Sequence, residues 1–519
     1  MVYKNRSFFY IKQTSLIIAF WVAVSFVIHI WVAKNYDLHR DELLFVALGK
    51  HLEWGFASVP PFIGFISYLT QLLFSDLQFG LKFIAAIVGA GLVVVVGKTT
   101  IVLGGKNEAT FLSCAAVSLS PAYMATASLF QPVIFDVFLW TLSAYYFIKL
   151  LKTENTNFWY PFIIALAIGF LNKYNIVFEV AGFLSALIIS SKRSLFLKKQ
   201  FWFASIIGLL MVFPNLFWQF QNHFPVVDHM NELQRTQLSH LHISDFFVGQ
   251  ILDNAPAAWL WGFAIFAMIL KKEEKWLRPL LVGFIITIAL FAFGGAKHYY
   301  SFGSYPPLLS IGSFVVEKYW VSIRMKILKV VFALLMILIS IFAMPIGVPL
   351  FSHQNMVSYF QKIKPIIGES LFTWEDRKVY SLTQDYADET GWKELANIAE
   401  RAYSSLSMDE KNHAAIYCEN YGQAGAIELY AKKIPLVVVS FSDNYLKWAP
   451  DSLNISTLIY VNYVPTEIRT HFESVTEFGI LTDSFAREKN LPVFICRKPN
   501  AEWQNFYSNK TAQLKKARF

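Results

Sequence analysis

Four clusters of polar side chains break into a largely apolar chain, and each holds residue types that could do chemistry. Arg40-Asp41-Glu42 sets a cation beside two carboxylates. Acids that open a helix cap it and complement its macrodipole. A carboxylate that faces a membrane surface serves equally as a general base, with Asp41 first and Glu42 as its support or second candidate. Lys297-His298-Tyr299-Tyr300, followed by Tyr305-Pro306-Pro307, offers an ammonium and phenol hydroxyls. Such a set anchors a chain at a lipid interface or holds a phosphate. Trp218-Gln219, Asn222-His223, Pro225, Asp228 and His229 form the third cluster. Loop histidines and aspartates are ordinarily solvated, and a divalent metal is the alternative. The fourth, 420–426, reads NYGQAGA and lies between a strand pattern and a helix pattern. It lacks both phosphate-loop spacings, so a tight turn is the plainer reading.

The elements that must position these clusters follow from composition. The 519 residues are 55% hydrophobic, 17% aromatic and only 16% charged. A soluble domain carries about 25% charged residues, so much of this chain is built for lipid. A hydrocarbon core of ~30 Å takes ~20 apolar residues per helix. Eleven stretches meet or approach this: 13–33, 79–103, 108–129, 133–151, 157–172, 175–190, 200–219, 255–270, 277–295, 302–317 and 327–349. The run after Lys12 has no small-residue cleavage site and is expected to stay as an anchor. With the N-terminus in the cytoplasm, 19 of the 26 Lys and Arg before 351 lie at cytoplasmic ends, and the segment after 350 lies outside. Asp136, Lys173, Glu179 and Lys297 then fall at external helix ends, with Arg40, Asp41 and Glu42 just beyond the first span. The loop 34–78 has amphipathic patterns of surface-lying helices. The loop 220–253 carries His223, His229, His240 and His242, of which only the last two are closely spaced.

Residues 1–350 hold 26 basic against 16 acidic residues, a net of +10, whereas 351–519 hold 19 against 20, a net of −1. The excess positive charge therefore belongs to the apolar part and fits anionic lipid rather than nucleic acid. The expected division is a membrane domain over 1–350 and an external α/β domain over 351–519. In the latter, strand-like runs at 414–418, 435–440, 457–464 and 492–496 alternate with helical ones at 392–404, 424–432 and 466–472. The basic end (Lys510, Lys515, Lys516, Arg518) is expected to fray. Cys114, Cys418 and Cys496 are too few for a disulfide scaffold. The stretch Ser442-Asp443-Asn444-Tyr445 with Trp448 suggests that the external domain covers a site or holds an acceptor.

Successive blocks carry a resemblance: HRDELLFVALGKHLEWG, VPPFIGFIS, NLFWQFQNHFPVVDH, GGAKHYYSFGSYPPLL, QDYADETGW, NYGQAGAIELY and LPVFICR. Together they resemble membrane glycosyltransferases of the GT-C class, in particular bacterial relatives of protein O-mannosyltransferases and lipid A aminoarabinose transferases. The resemblance implies a polytopic α-helical fold and transfer of a sugar from a polyprenyl-phosphate donor. The acceptor is then a lipid, glycan or protein at the external face of a bacterial cytoplasmic membrane. It implies Asp41 as the catalytic base and Lys297 near the donor phosphate, and Tyr299, Tyr300 and Arg40 are expected beside Lys297 at that phosphate. Asp136, His229, Tyr421 and Tyr445 are expected to hold the acceptor or support the site. Ser58 and Val59 stand where many relatives carry an acid and a His or Lys, and Leu44 and Phe45 stand where aminoarabinose transferases carry Arg and Tyr. A divalent metal is left open by those departures. The competing reading is a transporter or flippase of lipid-linked saccharides, and the third is a scaffold that binds cell-wall material.

Overall fold

The computed structural model describes residues 2–240, 242–435 and 437–519, with the side chains of residues 2–11 and 240 outside the description. Lys4 and Arg6 of the charge count, and His240 of the histidine loop, fall among those side chains. The chain forms two compact units. One comprises Met1–Ala33, Phe79–Phe217 and Glu232–Val348; the other comprises Lys34–Gln78, Trp218–Asn231 and Pro349–Phe519.

The first unit is helical. Among the described residues, six helices are long and apolar enough to cross a membrane: Lys12–Val32, Leu77–Leu103, Pro132–Thr153, Lys199–Gln221, Lys272–Phe293 and Ile323–Gly347. Ile243–Asp253 and Ala255–Leu270, bent by 67° at their junction, make a seventh if taken together. The expected count of eleven is not reached on helix length. The stretch 108–129 divides into Asn107–Ser118 and Pro121–Ser128, because a proline lacks the N–H to continue a helix and restarts one at its first turn. Thr156–Asn172 and Ile176–Ile188 are short apolar helices on either side of Lys173. Leu334, Leu338 and Phe342 lie more than half exposed on Ile323–Gly347, as a lipid-facing surface requires. Inside, Trp140, Phe147, Trp159 and Phe162 are fully buried. Close packing rests on small residues: a Cβ at Gly182 would stand 2.7 Å from the Gly283 carbonyl of the facing helix.

In the second unit a five-stranded sheet runs in the order β2-β1-β3-β5-β4. The strands are β1 Ala414–Cys418, β2 Val438–Ser440, β3 Thr457–Val461, β4 Phe472–Ile480 and β5 Pro492–Pro499. β2, β1 and β3 are parallel, β5 is antiparallel to β3, and β4 is antiparallel to β5. All five residues of β3 are buried, which suits its apolar sequence TLIYV at the middle of the sheet. Two expectations for the tail are corrected. The helix expected over 466–472 ends at Arg469, and β4 follows as an edge strand whose Glu473, Ser474, Thr476 and Glu477 are exposed. The basic end is the helix Trp503–Arg518, tied down where Lys515 donates to the Ala449 carbonyl (2.6 Å) and Asp451 (2.7 Å). The three cysteines are free and buried, and β3 lies between the strands that carry Cys418 and Cys496.

Candidate functional site

Asp41 lies in the first turn of the helix Arg40–Lys50. His39 caps that helix: its Nδ1 accepts from the Asp41 N–H (3.1 Å), and Glu42 Oε2 accepts in return from the His39 N–H (2.7 Å). This reciprocal cap engages Glu42, which is fully buried, and leaves Asp41 as the carboxylate that reaches solvent. The Asp41 side chain is 38% exposed, and its Oδ1 accepts a hydrogen bond from the Tyr421 hydroxyl at 2.8 Å. Arg40 places its guanidinium 4.6 Å above the Tyr421 ring, a cation–π contact that holds the phenol in place. The Arg40 Nε is buried without a hydrogen-bond partner among the described residues.

Tyr421 opens the helix Tyr421–Tyr430, and the glycine-rich stretch is that helix's first turns. Asn420 caps it by accepting from the Gln423 N–H (3.0 Å), while Glu488 accepts from Asn420 Nδ2 (2.9 Å) and Gln423 Nε2 (3.1 Å). A Cβ at Gly422 would lie 2.9 Å from Arg40 Cγ, and one at Gly425 would lie 2.9 Å from Leu43 Cβ. The glycines therefore let this helix rest directly on Arg40–Lys50, which brings Tyr421 to Asp41. Behind them His39 Nε2 faces Asp385 (3.9 Å) and Asp388 (4.0 Å), and Arg487 pairs with Asp388 at 3.0 Å. Burial alone would lower the His39 pKa. The charges of Asp41, Asp388, Asp385 and Glu389 outweigh it and raise the group above 6.5. Burial and the neighbouring Asp41 push Tyr421 well above its usual phenol range, so it stays a donor at working pH.

The third sequence cluster belongs to the same unit. Trp218 Nε1 donates to Glu53 (2.8 Å), Lys447 pairs with Glu53 and donates to Asn222 Oδ1 (3.3 Å), and Lys447 stands 4.8 Å from the centre of the Trp218 ring. Of the residues expected to hold an acceptor, Tyr445 is 2% exposed and packs edge-on against Trp448, as a core residue does. His229 lies half-buried in the helix Pro225–Thr236. Among the described residues no group of three His, Cys, Asp or Glu side chains is arranged to hold a metal ion.

The first unit carries the second cluster. Lys297 precedes the 3-10 turn His298–Ser304. His298 Nδ1 shares a 2.6 Å hydrogen bond with Asp253, and Gln250 Nε2 donates to the His298 carbonyl (3.0 Å), so the helix Ile243–Asp253 fixes this turn. Lys173 lies 4.5 Å from the Tyr300 ring centre and 5.3 Å from that of Tyr299. Asp136 is 3% exposed; it accepts from Trp140 Nε1 (3.0 Å) and from Asn175 Nδ2 (2.8 Å), and Asn175 also reaches the Tyr300 carbonyl (3.3 Å). Asp136 therefore holds Asn175, two residues after Lys173, where it reaches the turn that carries Tyr300. Burial would lower the His298 pKa, but the hydrogen bond and charge of Asp253 raise it above 6.5. Lys173, His298 and Asp253 were absent from the expected site residues. The polar interruption Asn172-Lys173-Tyr174-Asn175 in an apolar run marked the first of them, and the cluster Lys297-His298-Tyr299-Tyr300 contained the second.

Residues 58–218, under half of the chain, match the family model described as dolichyl-phosphate-mannose-protein mannosyltransferase. The fold resembles that of ArnT from Cupriavidus metallidurans bound to undecaprenyl phosphate, with a TM-score of 0.61 at 11% identity over 92% of this chain and 97% of that one. The apo state of the same protein gives 0.61 at 13% identity over the same shares. The archaeal oligosaccharyltransferase AglB from Archaeoglobus fulgidus, in complex with an inhibitory peptide and a dolichol-phosphate, gives 0.50 at 10% identity over 97% of this chain and 78% of that one. No curated protein matches the sequence. The architecture, apolar helices with a small C-terminal sheet, is the GT-C fold.

Proposed function

We propose that this GT-C-fold chain is a membrane glycosyltransferase that moves a sugar from a polyprenyl-phosphate carrier to an envelope acceptor at the external membrane face. The observation that carries the reading is the half-exposed Asp41 carboxylate, set by its helix cap and touched by a hydroxyl that mimics an acceptor's. The acceptor O–H passes its proton to Asp41 as the acceptor oxygen bonds to the anomeric carbon. The carbon–oxygen bond to phosphate breaks, and its electron pair leaves with the polyprenyl phosphate. Lys297, with Lys173 and the phenols of Tyr299 and Tyr300, neutralises the phosphate before and during departure. Arg40, held over Tyr421, and Glu42, committed to the cap, act as supports of the Asp41 turn. A lipid-carried donor fits this chain because ArnT, whose fold it shares, was crystallised with undecaprenyl phosphate.

The test is turnover by the purified protein in proteoliposomes supplied with polyprenyl-phosphate sugars, read beside lipid extracts from cells with and without it. Product formation, and a glycoform missing from the depleted cells, are the expected results. Movement of intact lipid-linked saccharide with no bond cleaved would replace the reading with a flippase.

A further inference from the structure

The second unit holds a cavity of about 200 Å³ that lies apart from Asp41 in its wall residues and takes no part in the transfer step. Most of its sheet-side lining comes from the carboxyl ends of the parallel strands, with Leu458 nearer the start of β3. Tyr417 comes from β1, Glu419 from just past it, Tyr460 from β3 and Phe441 from just past β2, and the helix Trp503–Arg518 closes the other side. The chain runs from β1 to β2 on one flank and then to β3 on the other. The crevice between β1 and β3 is thus the switch point where open α/β sheets take ligands.

Its lining has a definite chemistry. Tyr417, Phe441, Trp503 and Phe506 supply aromatic surface, with Phe441 edge-on to Tyr417 at 5.4 Å. Trp503 is 5% exposed, and its indole N–H has no hydrogen-bond partner among the described residues. That is a donor withdrawn from water and left unused, which is costly unless something accepts from it. The carboxylates are already oriented: Glu419 accepts from the Tyr460 hydroxyl, and Glu467 from Lys510 at 2.7 Å. Two acids against one base disfavour an anionic guest. Aromatic faces suit the slightly positive C–H faces of a sugar ring, and carboxylates accept from its hydroxyls. A cavity of ~150 Å³ already admits a six-membered ring.

We infer that this cavity is a carbohydrate site that seats one neutral sugar ring of the acceptor glycan. The binding stands on the cavity itself; only its assignment to the acceptor rests on the glycosyltransferase reading.

The experiment uses the full-length protein in nanodiscs and saturation-transfer NMR with methyl mannoside, methyl glucoside, methyl galactoside and N-acetylglucosamine, against glucose 6-phosphate and glucuronate. At least one neutral sugar should show transfer and the anions none. Phe441→Ala and Glu467→Gln, at half-buried and exposed positions, should each weaken that binding about tenfold with the melting temperature kept. Asp41→Asn should bind the sugar as the wild type does, so loss of turnover and loss of this site are read separately. Silence from every neutral sugar, equal binding by both cavity variants, or equal binding of the anions would overturn the site. In the transfer assay, Phe441→Ala should raise the acceptor KM and leave the donor KM alone. An unchanged acceptor KM would overturn the acceptor assignment.

Discussion

Asp41 and Tyr421 lie 380 residues apart in sequence and meet at 2.8 Å. Asp41→Asn keeps the size and polarity of the side chain, so folding should survive while turnover falls about 10²–10⁴-fold. Tyr421→Phe keeps the ring under Arg40 and removes only the donor, so it should cost about tenfold, the weight of one hydrogen bond. Turnover and melting temperature of both variants in the same membranes check this, and near wild-type turnover from folded Asp41→Asn would end the base assignment. Lys297→Ala should lower kcat/KM about 10²-fold and weaken donor binding, with Lys297→Arg keeping part of the function. The His298–Asp253 pair has a pH signature. A histidine whose folded pKa lies above 6.5 contributes stability that is complete below 6.5 and lost as pH rises through the folded value. The wild-type melting temperature should therefore fall over that interval relative to Asp253→Asn, which lacks the charge that holds the proton. Parallel curves for the two proteins would remove the pair from the argument. The acids and Lys297 stood out in the sequence because charge is conspicuous among apolar residues. Tyr421 was expected at the site through the resemblance, but its contact with Asp41 was not legible, since nothing local connects a phenol after β1 to a carboxylate after the first span.

At the scale of elements, the helix Tyr421–Tyr430 reaches Arg40–Lys50 only because Gly425 has no side chain. A methyl there would press on Leu43 Cβ at 2.9 Å and on the Leu43 carbonyl at 3.0 Å. Gly425→Ala should cost about 1–3 kcal/mol through overpacking and lower turnover by shifting Tyr421. Gly262→Ala, with nothing within 4 Å of the added Cβ, is the matched control and should be neutral. Melting curves and turnover of the two variants decide it, and equal behaviour would mean that the contact does not position the site. The sequence made the glycine run look like a turn, because glycines before a helix usually supply one. Their use here is close approach between two helices, which only the partner helix reveals. β4 escaped for a related reason: an exposed edge strand with Glu473, Ser474, Thr476 and Glu477 lacks the apolar run that marks β3.

At the scale of the whole molecule, the charge partition predicts sidedness. Lys272→Cys should label from the cytoplasm and Ser452→Cys from outside, both positions being exposed. Labelling of both from one side would refute the topology. Composition and apolar run length determined by themselves that the chain is a helical membrane protein followed by a small α/β region, because the demand of lipid for apolar side chains and of a sheet for buried strands is written residue by residue. The sequence blocks likewise carried the GT-C resemblance, which the match over 58–218 and the fold bear out. Only the tertiary structure decided how the stretches break, with Ser120-Pro121 dividing one expected span in two. It also decided that Lys34–Gln78 and Trp218–Asn231 pack with Pro349–Phe519. Such partnerships depend on which surfaces fit across hundreds of residues, as Asn444 accepting from the Ala57 N–H at 2.7 Å shows, and complementarity of that kind leaves no period or composition in the chain.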